Sequence, residues 1–434
     1  MKKPDLNIFW FRRDLRLFDN SGLFHALQSG NPVLPIFIFD KLILEQLSDK
    51  QDRRVTFIYE ALREINNKLK EYNSSLLILH NTPLMAFREL SERFSVKEVF
   101  TNRDYEPYAI DRDRQIDNFL AEKGILFHTF KDQVIWEKSE VMKPDGTPYK
   151  VFTPYSKQWK HHYKLNPPEE FPSINHLSRF FTENHPFPEL QKIGFQLNLP
   201  EIPEFSSSEE IIKNYHQTRN LPAVEGTSYA GVHLRFGTVS IRQLVKLASG
   251  LNEQWLNELI WREFFMMILY HYPEVEHRNF KRKYDRIQWR NNEEEFRLWC
   301  KGETGYPMVD AGMRQLNKTG WMHNRVRMIV AGFLTKHLLI DWRWGEAYFA
   351  EKLLDYELAS NNGNWQWAAG TGCDAAPYFR IFNPSEQLKK FDPDLKYIKR
   401  WIPDFRAGYL PEIVEHKFAR QRALETYKSA VQEL

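Results

Sequence analysis

Between Asp341 and Pro384 the chain reads DWRWGEAYFAEKLLDYELASNNGNWQWAAGTGCDAAPYFRIFNP, a stretch rich in side chains that could hold a flat, heteroatom-rich ring. Trp342, Trp344, Trp365 and Trp367 stand near the amides Asn361 and Asn362, the carboxylates Asp355 and Glu357, and Arg380. A buried indole wants a partner for its N–H, so an ordinary core has little use for so many. Asn-Asn-Gly-Asn at 361–364 can pin backbone through its side chains and end a helix. Two readings fit this segment by itself: a ring-binding pocket, or a Trp-rich helical core.

Four further segments carry reactive residue types. Over Trp255–Leu269, Glu258, Trp261, Arg262 and Phe265 fall at i, i+3, i+4 and i+7, so one helix face shows a carboxylate, an indole and a guanidinium. An exposed Glu–Arg pair is the plainer account of the same spacing. In GWMHNRVRM, Trp321, Asn324 and Met328 share a helix face while Arg325 and Arg327 point elsewhere, and Met and Trp so spaced are more often core. Residues 278–290, RNFKRKYDRIQWR, set six Lys/Arg against one Asp with Phe280, Tyr284 and Trp289 between them. That pattern suits a phosphate backbone with unstacked bases, and equally a solvated basic turn. EGTSYAGVHLRFGTVS at 225–240 puts small and hydroxyl residues ahead of a helical stretch, as a phosphate-binding helix N-terminus requires and as ordinary loops also do. There is no H-E-x-x-H, Walker loop or G-x-S-x-G, so zinc proteases, P-loop enzymes and serine hydrolases have no support, and no metal site is expected.

The elements that must position these residues fall into two kinds. Residues 6–130 alternate candidate strands (Leu6–Phe11, Val33–Phe39, Leu76–Leu79, Glu98–Thr101, Ile125–Phe130) with helical patterns such as Val55, Ile58, Leu62, Ile65 and Leu69. Strands separated by helices predict a parallel, Rossmann-like α/β domain, here placed at 1–133. The dinucleotide fingerprint is missing after the first strand, where FRRDLRLFDN stands. From Tyr163 to Phe205, seven prolines (Pro167, Pro168, Pro172, Pro186, Pro188, Pro200 and Pro203) predict a connector draped over the surface, within a linking region at 134–207. From 208 to 434 the apolar spacing is helical, which predicts an all-α second domain.

At 434 residues the chain can bury substantial cores. A formal charge of +3 means that a polyanion must be met by a local patch. Two cysteines, Cys300 and Cys373, rule out a disulfide framework. With no signal peptide and no apolar run long enough for a membrane span, the expectation is a soluble cytoplasmic protein.

Four stretches together carry a resemblance: WFRRDLRLFDN, WREFF at 261–265, TGYPMVDAGMRQLNKTGWMHNRVRM at 304–328 and NNGNWQWAAGTGCDAAPYFRIFNP at 361–384. They resemble the DNA photolyase/cryptochrome family over nearly the whole chain, and look most like its class I cyclobutane pyrimidine dimer photolyases. The resemblance implies FAD bound in the helical domain by Tyr215, Thr227, Ser228, Tyr229, Ala230, Gly231, Trp255, Glu258, Arg262, Asn324, Arg327, Asp355, Tyr356, Glu357 and Asn361. Asn361 is implied to face flavin N5, where plant-type cryptochromes carry Asp. Glu258 and Asn324 join it as catalytic residues, and Trp261, Met328 and Trp367 are implied to contact a flipped-out dimer. Arg219, Arg262, Arg325, Arg380 and Gln387 are implied DNA contacts. Trp365, Trp342 and Trp289 match a photoreduction chain running from the flavin to the surface.

The implied reaction is repair of UV-damaged DNA by light-driven electron transfer from FADH⁻ to the dimer, in a monomeric carbon–carbon lyase. GTSYAG departs from the Arg and second Ser common in relatives, and Glu357 stands where Asp is usual. Tyr108-Ala109 replaces the Asn-Glu pair of folate-binding relatives, which disfavours a methenyltetrahydrofolate antenna and leaves a deazaflavin, a second flavin or none. The rivals are a cryptochrome photosensor and a (6-4) photolyase. The latter uses a histidine pair of which only His323 is present, and the chain's end at Leu434 lacks a photosensor's long tail.

Overall fold

A computed structural model describes residues 3–198, 204–206, 208–406 and 408–432, so Pro200, Pro203 and Leu434 lie outside the described residues. It has the expected fold class, an α/β part and an all-helical part. Five strands, β1 (Asp5–Phe11), β2 (Val33–Asp40), β3 (Leu77–Asn81), β4 (Ser95–Asn102) and β5 (Leu126–Phe130), form one parallel sheet in the order β3-β2-β1-β4-β5. The chain runs outward from β1 to β3, then crosses back to β4, the doubly wound arrangement. β1 and β2 are buried on both faces, which is why they read as unbroken apolar runs.

The loop after β1 is no phosphate cradle, because its cations are already spent. Buried Arg16 pairs with Asp132 at 2.7 Å, and Asp132 also takes Arg242 at 2.8 Å. Arg13 reaches Asp104 and Glu106, each at 3.0 Å. Burial pushes the Asp104 carboxyl up, but Arg13 and Arg12 outweigh it and hold the group well below the usual range.

Two compact units interleave along the chain. The first comprises 1–140, 160–204 and 230–247; the second comprises 141–159, 205–229 and 248–434. They do not follow the boundaries at 133 and 207. The connector also departs from expectation. It contains two 3-10 turns, Ser173–Arg179 and Leu190–Ile193, and buries Leu177, Phe180, Leu190 and Phe195. Its Phe181 N–H donates to Val33 O at 2.8 Å, so apolar anchors and edge hydrogen bonds hold a proline-rich strand of chain against the first unit.

In the second unit, Asn252 caps the helix Glu253–His271 by accepting from the N–H groups of Gln254 and Trp255. The helices Trp342–Lys352 and Leu358–Ala369 meet at Gly345, where a Cβ would lie 2.1 Å from the Trp365 ring. Asn361, Asn362 and Gly363 do not end a helix as their types predict; they sit inside Leu358–Ala369, which stops at Gly370 with φ +81°. Gly363 is there for space, since its Cβ would come within 2.2 Å of Phe265. Among the described residues no helix is long and apolar enough to cross a membrane, and no cluster of metal-ligating side chains is present.

Candidate functional site

One cleft of about 600 Å³ opens among the helices of the second unit. Its walls come from Asn324–Gly332, from the turn at 355–357, and from Leu358–Ala369. Of the residues singled out from sequence, Asn324, Arg327 and Met328 line one side, and Asp355, Tyr356 and Glu357 another. Asn361, Trp365 and Trp367 complete it. Asn324 begins its helix and is exposed, because His323 Nδ1 caps that helix by accepting from Arg325 N–H at 3.2 Å. Burial and then the neighbouring Arg327 and Arg325 lower His323 to about 4, so it is neutral and structural at neutral pH. Trp321 precedes this helix and shares no helical face with Asn324 and Met328; its ring packs on Tyr229 with centroids 4.8 Å apart.

Two ion pairs frame the cleft. Arg327 Nη2 lies 2.8 Å from Asp355 Oδ2, and its Nε donates to Met322 O at 2.7 Å. Arg262 Nη2 lies 3.0 Å from Glu357 Oε1, while Ser360 Oγ donates to the other oxygen at 2.8 Å. Glu357 in place of Asp thus keeps a full set of donors. Asp355 Oδ1 is buried with no hydrogen-bond partner among the described residues, an acceptor held ready for a polar ligand.

Asn361 is legible in the sequence, but the residue that orients it is not. Its Nδ2 donates to both the main-chain O (3.1 Å) and Oε1 (2.8 Å) of Glu346. With the amide nitrogen so engaged, the oxygen is the end left for the cleft. Burial raises the Glu346 carboxyl above its ordinary value, the Asn361 hydrogen bond lowers it, and Glu276 raises it further. Glu346 lies on the neighbouring helix, 15 residues before Asn361, and no helical spacing links the two.

The other predicted residues do not line the cleft. Trp255 is buried on Glu253–His271. Trp261, on the same helix, stacks flat on Phe152 with centroids 3.8 Å apart and planes at 4°. Glu258 pairs with Arg219 at 2.7 Å, and Arg219 also lies over the Tyr215 ring. Thr227, Ser228 and Tyr229 form an irregular loop, Tyr229 at φ +55°, and Ala230 and Gly231 begin a helix, Ala230–Phe236, that belongs to the first unit. Arg325 donates to Asn220 Oδ1 through Nη2 at 2.6 Å and lies over Phe391. Burial, then Arg219 and Arg380, lower the Arg325 pKa, which places three guanidinium groups within one another's field. Arg380 is exposed, and Gln387 is half-buried on the helix Pro384–Phe391.

Trp365, Trp342 and Trp289 share one apolar cluster. The first two are buried and the third half-buried, and of the three Trp365 lines the cleft. The Trp342 indole N–H donates to Asn279 Oδ1 at 2.9 Å.

Residues 7–174 match the model of DNA photolyase, and residues 255–408 that of the FAD binding domain of DNA photolyase. A deoxyribodipyrimidine photo-lyase of Vibrio cholerae is 37% identical, covering 98% of this chain and all of the relative. The chain belongs to the DNA photolyase family. Among solved structures, a bacterial class III photolyase from Agrobacterium tumefaciens superposes with a TM-score of 0.85 at 32% identity, covering 99% of this chain and 98% of that one. An archaeal photolyase from Sulfolobus tokodaii, solved with two FAD molecules, gives 0.81 at 33% identity over 98% and 100%. The photolyase FAD-binding model spans the whole cleft, from Asn324 to Ala368.

Proposed function

We propose that this protein is a light-driven lyase that reopens cyclobutane pyrimidine dimers in DNA, with FAD held in the cleft of the helical unit. The observation that carries the reading is the convergence on one opening of the Arg327–Asp355 pair, the Asn361 amide and the Trp367 ring. The residues present fit a flavin: Asp355 offers an unused acceptor, Asn361 an amide oxygen, and Arg327 a cation beside a ring that is anionic when reduced. Bound there in its reduced form, FAD would supply under light the electron that opens the cyclobutane ring and would take it back, with no net redox change.

The chain's own side chains do the rest. A dimer inside a duplex must leave the stack to reach a recessed cleft, and it does so at reduced cost because damaged bases pair and stack poorly. Trp367 and Met328 at the cleft give the extruded bases an apolar seat. Trp261, braced by Phe152, presents a rigid ring to the same lesion. Asn324 and, once protonated, Glu258 donate hydrogen bonds to pyrimidine carbonyls as charge builds there. Arg325 and Arg380 hold flanking phosphates, which fix register without reading sequence. Trp289, Trp342 and Trp365 carry electrons inward from the surface. Glu258, Asn324, Met328 and Trp367 are also what favour the class I pattern.

An antenna chromophore has a natural seat in the first unit. A cleft of about 560 Å³, lined by Leu42, Thr82, Pro83, Tyr108 and Arg112, lies by the ends of β2 and β3. Tyr108 lines it and, with Ala109, replaces the Asn-Glu pair of folate-binding relatives, which disfavours a folate and leaves a deazaflavin, a second flavin or no antenna. Uptake of methenyltetrahydrofolate but not of deazaflavin or FAD would contradict that choice. The protein acts as a cytoplasmic monomer on UV-damaged DNA. A bacterial strain without photorepair, expressing this chain, should regain survival after UV only when illuminated. Survival unchanged by light would count against dimer repair.

A further inference from the structure

Glu258, a hydrogen-bond donor to the lesion in the proposed function, and Arg219, expected from sequence as a DNA contact, form one ion pair. Arg219 Nη1 lies 2.7 Å from Glu258 Oε1, across from the end of the helix Glu209–Thr218 to the helix Glu253–His271. Few other polar groups face that carboxylate. Gln254, one turn back, donates to Oε1 at 3.1 Å; Tyr215 stands beside Arg219; Arg262, one turn on, is taken by Glu357. A carboxylate bound to a guanidinium can only accept hydrogen bonds, whereas a pyrimidine carbonyl needs a donor.

Both partners are partly open, and the Glu258 side chain, at 30% exposed, is no more enclosed than its cation. Burial raises the Glu258 carboxyl, and Arg219 is the first of the groups that oppose it. Arg219 itself shares its field with Arg325 and Arg380, and its side chain is 23% exposed. A cation crowded by two others and reachable from outside is well placed to meet a phosphate. Its departure, with the lesion covering the site, would leave the half-buried Glu258 carboxylate with no counter-charge, which favours the neutral acid.

We propose that Arg219 is a lesion-operated switch: a phosphate flanking the damage takes its guanidinium, and Glu258 gains a proton and turns from acceptor into donor. One ion pair breaks and another forms, one proton passes from water to the carboxylate, and no electron moves. The resting site then never holds an unpaired charge, and the hydrogen-bond donor is made only when DNA is in place. The inference rests on the dimer-repair reading and adds to it how the donor is produced.

Calorimetric titration of the flavin-loaded protein with a dimer-bearing duplex, in buffers of different ionisation enthalpy, counts the protons. Wild type should take up close to one proton per complex near neutral pH. Its affinity should fall by up to about tenfold per pH unit over the same range. Glu258→Gln cannot titrate and should show neither effect. Arg219→Ala lacks the cation that keeps the carboxyl ionised before binding, so its uptake should fall below that of wild type, while Arg219→Lys keeps a cation and keeps the uptake. Binding by wild type without proton uptake, or equal uptake by wild type and Arg219→Ala, would overturn the switch. Light-dependent repair measured on the same samples separates the two ideas. Repair without proton uptake sinks the switch alone, and absence of dimer binding and repair sinks the function on which it rests.

Discussion

Replacing Glu346 with Ala should unlock the amide of Asn361. In the wild type, turning that amide over would set its oxygen against two oxygens of Glu346, the main-chain O and Oε1, which now accept at 3.1 and 2.8 Å. The substitution removes the carboxyl and leaves only the main-chain acceptor. A hydrogen bond to a charged group contributes about 1.5–3 kcal/mol, so the bias holding the oxygen toward the cleft should drop by about that amount. On the proposed placement of the flavin, that oxygen accepts from the ring N–H present only after reduction. The two-electron potential of the bound flavin should therefore move down by about 30–60 mV, taking about 30 mV per 1.4 kcal/mol. Spectroscopic redox titration reads this directly, and thermal unfolding checks that the fold survives. Glu346→Gln still offers a side-chain oxygen and should shift the potential less. An Ala variant with the wild-type potential, or a folded Gln variant shifted as far as Ala, would rule out this role for Glu346.

Four other outcomes are expected. Trp365→Phe should block photoreduction of oxidised flavin yet leave repair by chemically reduced protein, and loss of both would contradict the separation of tasks. Arg325→Ala and Arg380→Ala should each weaken binding to any duplex and reduce the slope of log K against log salt by about 0.9 for each phosphate no longer neutralised; an unchanged slope argues against a role at phosphate. Gly345→Ala puts a Cβ where the Trp365 ring lies 2.1 Å away and should destabilise by about 1–3 kcal/mol, seen as a lower Tm. His323 falls from 6.5 to about 4 on folding, so the unfolded chain binds its proton first as pH drops. That stability is present above pH 6.5 and lost on the way to about pH 4, a difference of about 3 kcal/mol between wild type and a His323→Asn variant that keeps a cap. Parallel pH profiles of the two would rule this out.

Local periodicity made the sheet legible. All five strands lie within a few residues of the expected positions, since a doubly covered strand has to be an apolar run. The helix Glu253–His271 was readable for the same reason. Asn361–Gly363 misled because the same residue types serve two ends: Gly363 reads as a helix stop, yet it is needed where Phe265 crowds the backbone. Trp321 misled because helical spacing continues past the cap that His323 provides. The site itself was visible only where its residues are neighbours in sequence, as along 324–328 and 355–367. Glu346 with Asn361, Phe152 with Trp261, and Arg219 with Glu258 join residues on separate elements, and no spacing rule reaches that far. The connector's burial was hidden too, since prolines exclude regular structure without excluding apolar anchoring.

Central to the proposed function is the approach of a reduced flavin and an extruded dimer in the helical cleft, close enough for light to move an electron between them. It is tested most directly by illuminating the purified, reduced protein with duplex DNA carrying a single thymine dimer and counting the dimers left. Dimers should disappear in blue light, persist in the dark, and persist in light when Trp367 and Met328 are both replaced by charged residues that close the cleft to the lesion. Dimers that survive illumination of a flavin-loaded wild-type protein, with the lesion bound, would contradict the account.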